Sequence, residues 1–269
     1  MARKPKAAAQ DTSNPTPIES TGTRIELGEM LSEKAPVQEF ALWVVGHTPL
    51  ISHAWSEKAR TEMLRGQSGA TRASKEKRNP EEDFLNSLYM IDKQTYGFPV
   101  TAVKKAILSC AHKDRGIPRS DVMAALWLDA EMVSTRPAYA GARCDMPLVR
   151  LYGSKPEMRE DMVRIGSGLR KTANLAYRAQ FTTWAIRVTG TVNPQMVPPH
   201  ALVFLIGQAG DGIGIGDWRN EKGGWFGAFH IGNPAEQEAW EKFVANKGPL
   251  PKVQPRHSSR AAAVSKKAA

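Results

Sequence analysis

The chain has 269 residues, of which 41% are hydrophobic and 24% charged, and its 37 Lys and Arg side chains outnumber its 27 Asp and Glu. This composition is typical of a globular protein that buries a sizeable core, and it excludes collagen, global disorder and a disulfide scaffold. The net charge of +10 makes a polyanion the first partner to consider.

Positive charge and predicted disorder both concentrate at the ends of the chain. Residues 247–269 carry six of the ten net charges, and residues 1–20 carry one. Residues 1–22 and 247–269 are rich in Ala, Pro, Ser and Lys, and such segments bury too little apolar surface to offset the entropy of ordering them. We therefore expect a disordered arm at each end and one mildly basic folded domain over residues 23–246.

The sequence lacks the marks of metal-binding, membrane or secreted proteins. Cys110 and Cys144 have no CxxC or CxxH neighbour, which argues against a metal knuckle or a disulfide framework and favours a reducing compartment. The N-terminus lacks the apolar stretch of a signal peptide, and no apolar run is long enough for a membrane span. We expect no cofactor, no metal and no membrane contact, and a cytoplasmic protein, in the host cytoplasm if the chain is viral.

The first half of the domain is predicted to contain one strand and three helices. Residues 40–45 form an apolar, β-branched run that is typical of a buried strand. Apolar residues recur at helical spacing over residues 52–66, and a second helix begins at Pro80, with Asn79 as its cap and acids in its first turn. The strongest helix pattern covers residues 99–116 and ends at a glycine.

The second half is predicted to consist of short strands, then a helix and a last strand. The strand patterns occupy residues 123–128, 147–153, 174–181 and 182–192. A helix over residues 198–207 leads into a glycine-rich loop, and residues 225–231 are predicted to form the final strand. This order is typical of an α+β protein, and the topology that fits it best is a ferredoxin-like (RRM-type) antiparallel core with helical insertions.

The most unusual segment lies between the last predicted helix and the last predicted strand. Its candidate binding residues are Trp218, Arg219, Lys222 and Trp225, set among the glycines Gly210, Gly212, Gly214, Gly216, Gly223 and Gly224. Glycine amides can donate to phosphate oxygens, the cations supply charge, and the indoles offer faces on which unpaired bases stack. The segment therefore predicts a clamp for single-stranded RNA or DNA. The alternative is a long connection whose tryptophans cap the core.

A second group of basic residues lies between positions 150 and 187, where the local net charge is +5. Its candidate phosphate contacts are Arg164, Arg170, Lys171 and Arg178. We expect a loop across the sheet face in this region, with a surface turn at residues 160–161. Lys104 and Lys105, on the predicted helix over residues 99–116, add a candidate basic stripe. The alternative for both groups is an ordinary solvated surface.

The glycine-rich loop that runs into the sequence WFGAF resembles the corresponding loop of the RAMP superfamily, the RRM-fold CRISPR proteins that hold guide RNA. The segment YGFPVTAVKKAI is similar to the helix start that these proteins place before a basic helix. This resemblance implies an RRM-type fold and RNA binding at the loop. The chain as a whole, including KPEMREDMVRIG and GIGDWRNEKGGWFG, also resembles uncharacterised proteins of tailed bacteriophages, which implies a viral origin but no mechanism.

These observations favour three functions, in the following order. The first is a phage-encoded, non-catalytic protein that binds single-stranded nucleic acid through the sheet face, the loop and the basic arms, and that also binds itself as a homo-oligomer. The second is a structural or interaction protein of the virion or its assembly. The third is a RAMP-type RNA endonuclease that uses a histidine such as His53. Because GxSxG, HExxH and Walker signatures are missing, the non-enzymatic interpretation is favoured.

Overall fold

A computed structural model of the chain describes residues 37–55, 57–67, 79–112, 116–134, 145–165 and 172–252. The N-terminal arm predicted over residues 1–22 lies outside these ranges, as does all but the first six residues of the predicted C-terminal arm. The strands are β1 (Gln38–Gly46), β2 (Leu50–Ser52), β3 (Gly97–Pro99), β4 (Leu126–Leu128), β5 (Glu131–Ser134), β6 (Asp145–Gly153), β7 (Glu157–Ile165), β8 (Thr172–Phe181), β9 (Trp184–Val192) and β10 (Phe229–Ile231). The helices are α1 (Glu57–Gln67), α2 (Pro80–Asn86), α3 (Val100–Cys110), α4 (Arg119–Ala125), α5 (Pro199–Gln208) and α6 (Pro234–Val244).

The main sheet has the strand order of a ferredoxin-like fold. Its central path runs β10-β1-β9-β6-β3, with every pair antiparallel, and β4 and β5 extend it by pairing with β9 and β6. Along the chain, β1, α3, β6, β9, α5 and β10 form a βαββαβ unit whose fourth and first strands are neighbours. This arrangement confirms the predicted α+β class and its ferredoxin-like core.

Helices α3 and α5 cover one face of the main sheet. Since strand residues alternate between the two faces, every second residue of a strand points toward these helices. Val44 of β1 is paired with Ile186 of β9, and both join the large core with Ile107 of α3 and Leu205 of α5. The regular apolar spacing of these elements explains why both helices and strand β1 could be predicted from the sequence.

The opposite face of the main sheet is covered at one end by α6, which the sequence analysis missed. Trp43 and Val45 point to this side and pack against Trp240, with the Trp43 and Trp240 ring centroids 6.1 Å apart. The start of α6 carries a detectable signal: the Asn233 side chain accepts from the Glu236 amide, and the Glu236 carboxylate accepts from the Asn233 amide.

A second, three-stranded sheet in the order β2-β8-β7 corrects two predictions. Residues 157–165 were expected to lie in a loop, with Glu160 and Asp161 in a surface turn, but they form strand β7. Their alternation is hidden by charge, because the side that faces the protein carries Arg159 and the buried Asp161, which are bonded to each other with an Nε–Oδ1 distance of 2.9 Å. A strand face that pairs its own charges does not have the apolar alternation by which strands are predicted.

Three further boundaries differ from the predictions. Residues 123–128 were expected to be one strand, but helix α4 occupies the segment up to Ala125 and the strand begins at Leu126. The helix predicted over residues 99–116 ends at Cys110. The last strand begins at Phe229 instead of residue 225, because Gly227 has a φ of 66°, which interrupts an extended strand. Within the described residues, no helix combines the length and the apolar character needed to cross a bilayer.

Candidate nucleic-acid interface

The glycine-rich loop covers residues 209–228 and connects α5 to β10. It opens with a single π-helical turn, Ala209–Ile213, and contains a short 3₁₀ turn, Asn220–Lys222. Its backbone is bonded to the β1–β2 region: the Gly227 amide donates to the Pro49 carbonyl, the Asp217 amide donates to the Ile51 carbonyl, and the Ala228 carbonyl accepts from the His47 amide. The loop is therefore held in one conformation against the folded domain.

The glycines of the loop serve mainly to let it pack on itself. Gly214, Gly216, Gly223 and Gly227 have positive φ angles, and a Cβ at Gly224 or Gly227 would collide with backbone of the loop's other arm. The amides of Gly214, Gly223 and Gly224 donate to carbonyls within the same segment. These three amides are therefore engaged inside the protein. In a separate respect, Gly212 and Gly223 are unlike Gly224 and Gly227, because a Cβ at either position would meet open space.

Both tryptophans of the loop point outward. The exposed fraction is 40% for Trp218 and 63% for Trp225, so the alternative in which they cap the core is wrong. Trp218 has a φ of 52°, an uncommon conformation for a bulky residue, and its carbonyl accepts from the Phe226 amide. The two arms of the loop are thus joined directly beside the exposed rings.

The two cations of the loop, Lys222 and Arg219, differ in whether a carboxylate holds the side chain. Lys222 is exposed and has no carboxylate in ion-pair contact among the described residues. Arg219 is held: its Nε donates to Glu221 Oε2 at 2.9 Å and its Nη1 donates to the Gly216 carbonyl at 3.2 Å. The Arg219 side chain therefore stabilises the loop, and its charge is offset by Glu221.

Charged groups also join the loop to the second sheet. Arg178 of β8 is buried, and its Nη1 lies 3.0 Å from Oδ2 of Asp217 on the loop. The guanidinium of Arg159 on β7 lies 4.6 Å from the centre of the Phe226 ring. The prediction that Arg178 is a surface contact for phosphate is corrected here, because its side chain is enclosed by the loop and faces a carboxylate.

Asp217 contacts a histidine as well as Arg178. Its Oδ2 lies 3.3 Å from Nδ1 of His53, a half-exposed residue in the segment after β2. Burial on its own raises the pKa of Asp217, but the interaction with His53 and the charge of Arg178 outweigh that effect, so the pKa lies below its ordinary value of 3.8. Asp217 is therefore ionised at neutral pH and compensates Arg178.

A cavity of about 480 Å³ opens beside the loop, between its first arm and the start of α3. Helix α3 contributes one face to the lining, with Thr101, Ala102, Lys105, Ala106 and Ser109. Phe98 and Tyr89 form part of its wall, and Asp217, Arg219 and Glu221 supply charge, with His53 beside them. Loop residues 213–217, 219 and 221 line this cavity, and we call the loop and the cavity together the loop–cavity surface.

The remaining predicted residues are placed as follows. Lys105 lines the cavity, but Lys104 points away from it and donates to the Leu126 carbonyl at 2.6 Å, which corrects the predicted basic stripe on α3. Arg164 is exposed on the face of β7 that is opposite to the one carrying Arg159. Arg170 and Lys171 lie outside the described residues. The structure thus places Lys105, Arg219 and Lys222 near Glu221, and it exposes Trp218 and Trp225 on the same loop.

Sequence reasoning missed the cavity and the contact between His53 and Asp217. No local pattern could have revealed them, because the two side chains come from segments that are far apart in the chain. Among the residues that the structure describes, no group of three or more His, Cys, Asp or Glu side chains is arranged to hold a metal ion.

No family model matches this chain, and no curated protein sequence matches it either. Among solved structures, the chain is similar to Cmr6 from Pyrococcus furiosus, with a TM-score of 0.35 and 8% sequence identity, over 73% of this chain and 99% of that one. The fold assignment rests on the strand order given above. The resemblance to tailed-bacteriophage proteins stays a prediction.

Proposed function

We propose that the protein binds single-stranded nucleic acid, without catalysis, along the loop–cavity surface. The observation that carries the proposal is that two exposed indoles and the exposed Lys222 stand on a loop whose backbone is fixed at both arms. Aromatic faces held in place before binding lose little conformational freedom when a base stacks on them. The resemblance of this loop to that of RAMP proteins supports the same function.

The distribution of charge indicates that stacking contributes more than ion pairing. Each arginine near the loop has a carboxylate partner: Arg159 has Asp161, Arg178 has Asp217 and Arg219 has Glu221. Lys105 and Lys222 have no such partner in the described part of the chain, so they are the cations that can meet phosphate oxygens. Neutralising two phosphates of a single strand gives a slope of log K against log salt of about −1.4.

The deciding experiment compares two tryptophans of nearly equal exposure. Trp225 is 63% exposed on the loop, and Trp127 is 66% exposed on β4, outside the cavity lining. We expect Trp225→Ala to weaken the binding of U8 RNA or dT8 DNA about tenfold or more, since one base stack is worth ~1–3 kcal/mol. Trp127→Ala should leave binding within about twofold. Fluorescence anisotropy at fixed salt measures both affinities.

The control also tests the predicted use of the sheet face. Trp127 is paired with Thr191 and so lies on the face of the main sheet that α3 and α5 do not cover. If Trp127→Ala weakens binding and Trp225→Ala does not, the nucleic acid lies on that face, and the assignment to the loop is wrong. If both variants bind the oligonucleotides as tightly as the wild type does, both locations are refuted.

A second candidate function is favoured by one observation, the His53–Asp217 contact at the edge of the cavity. A histidine oriented by a carboxylate can transfer protons during RNA cleavage, with the 2′-hydroxyl as nucleophile. Cleavage of an RNA oligonucleotide in the presence of EDTA, abolished by His53→Ala, would support an endonuclease. An uncleaved RNA that is nevertheless bound would support the non-catalytic function.

A further inference from the structure

The cavity beside the loop is lined by both apolar and polar side chains. Its apolar lining includes Phe98, Ala102, Ala106 and Ile215. Polar groups lie on both sides, with Lys105 and Ser109 on α3 and the carboxylates of Asp217 and Glu221 on the loop. A heterocycle with apolar faces and a polar edge fits such a site, and about 480 Å³ is within the range of small-ligand pockets.

The two carboxylates of the cavity differ in their availability. Asp217 is engaged: Oδ1 accepts from the Trp218 amide, and Oδ2 faces both Arg178 and His53. Glu221 accepts both of its hydrogen bonds from Arg219 on the same oxygen, Oε2. Within the described residues, Oε1 of Glu221 accepts no hydrogen bond, although Arg219 fixes the position of the carboxylate.

Glu221 remains ionised, and it can therefore only accept hydrogen bonds. The hydrogen bond from Arg219 lowers the pKa of Glu221 more than its slight burial raises it, and Lys222 and Lys105 lower it further. The Oε1 atom of this carboxylate can be satisfied only by a hydrogen-bond donor. It selects a group that presents N–H donors, and in a nucleic acid these donors are on the bases.

We propose that the cavity binds a guanine base of the bound strand, with Glu221 accepting hydrogen bonds from the guanine N1–H and N2–H groups. This inference rests on the proposed function, because the base arrives as part of a strand held by the loop. Guanine presents two adjacent donors on its Watson–Crick edge. Adenine and cytosine place a ring-nitrogen acceptor beside their amino group, and uracil flanks its one N–H with two carbonyls, so each of these bases sets an acceptor against the carboxylate.

The test compares RNA octamers that differ at one position. We expect the wild-type protein to bind UUUGUUUU about tenfold more tightly than U8, since a bidentate contact to one base discriminates by roughly that factor. Inosine in place of guanosine removes the N2 amino group, and its octamer should fall between the two. Fluorescence anisotropy on the full chain measures the three affinities.

The matched variants are Glu221→Gln and Glu238→Gln. Each substitution removes one negative charge from an ion-paired glutamate, since Glu221 is paired with Arg219 and Glu238 with Lys242 on α6. Glu238 is the control because it does not line the cavity. Glu221→Gln should reduce the preference for guanosine, measured as the ratio of the affinities for UUUGUUUU and U8, to less than about twofold. Glu238→Gln should preserve the preference.

The outcomes separate this inference from the proposed function. If U8 binds and Trp225→Ala weakens it, but guanosine gives no gain, the guanine site is refuted and strand binding stands. A preference for guanosine that survives Glu221→Gln also refutes the site. A third outcome is that guanosine monophosphate binds the wild-type and Trp225→Ala proteins with equal affinity, while guanosine in the octamer gives no gain over U8. The cavity then binds free nucleotide and not a base of the bound strand, which refutes the inference. Absence of binding to all octamers overturns both proposals.

Discussion

The ion pair between Arg178 and Asp217 is expected to anchor the loop to strand β8, and breaking it should lower the stability of the protein. Replacing Asp217 with Asn keeps the shape of the side chain but leaves the buried guanidinium without its countercharge. Removing one partner of a fully buried ion pair costs about 3–5 kcal/mol, whereas exposed pairs contribute about 0–1 kcal/mol. The exposed fractions here are 10% for the Arg178 side chain and 28% for that of Asp217, so we expect a loss of about 2 kcal/mol for Asp217→Asn.

A double-mutant cycle isolates the contribution of the pair. Arg178→Met removes the charge and retains an unbranched chain, and the double variant with Asp217→Asn should cost less than the sum of the two single changes by about 1 kcal/mol or more. Urea unfolding of the full chain provides the free energies. The exposed Lys242–Glu238 pair, with side chains 58% and 67% exposed, is the control and should show a coupling of less than about 0.5 kcal/mol. Additivity at Arg178 and Asp217 to within about 0.3 kcal/mol would refute the idea that this pair anchors the loop.

Three further predictions concern the loop and its support. Gly227→Ala should lower the Tm markedly and weaken RNA binding, because a Cβ there meets the Ile215 carbonyl and φ is 66°; an unchanged Tm in a thermal melt would contradict this. Trp240→Ala should cost about 3–5 kcal/mol in urea unfolding, since the side chain is 1% exposed against the sheet, and a loss below about 1 kcal/mol would mean that α6 is not docked. The folded pKa of Asp217 is depressed, so its contribution to stability is fully present above the unfolded pKa near 3.8 and is lost as the pH falls through the lower folded pKa. Below about pH 4 the urea midpoint of Asp217→Asn should therefore fall less than that of the wild type. Equal pH dependence of the two midpoints would contradict the assignment.

The elements that local sequence determines were predicted correctly. Strand β1 and helices α2, α3 and α5 appear close to their expected positions, because a cap such as Asn79 and the apolar spacing of α3 act within a few residues. The order of these elements along the chain was sufficient to indicate the ferredoxin-like core. The position of the glycine-rich loop also follows from the sequence, whereas the structure was needed to show that its two tryptophans point outward and do not cap the core.

The tertiary structure alone decided which charges are available for a ligand. Arg178 and Arg219 carry the same side chain as any phosphate-binding arginine, but one is enclosed against Asp217 and the other is held by Glu221. Strand β7 was hidden for a different reason, since its inward charges, Arg159 and Asp161, pair with each other on the same strand. The Arg178–Asp217 pair joins distant segments and therefore depends on how strand β8 and the loop meet in space, and the free energy of burying its charges depends on that environment.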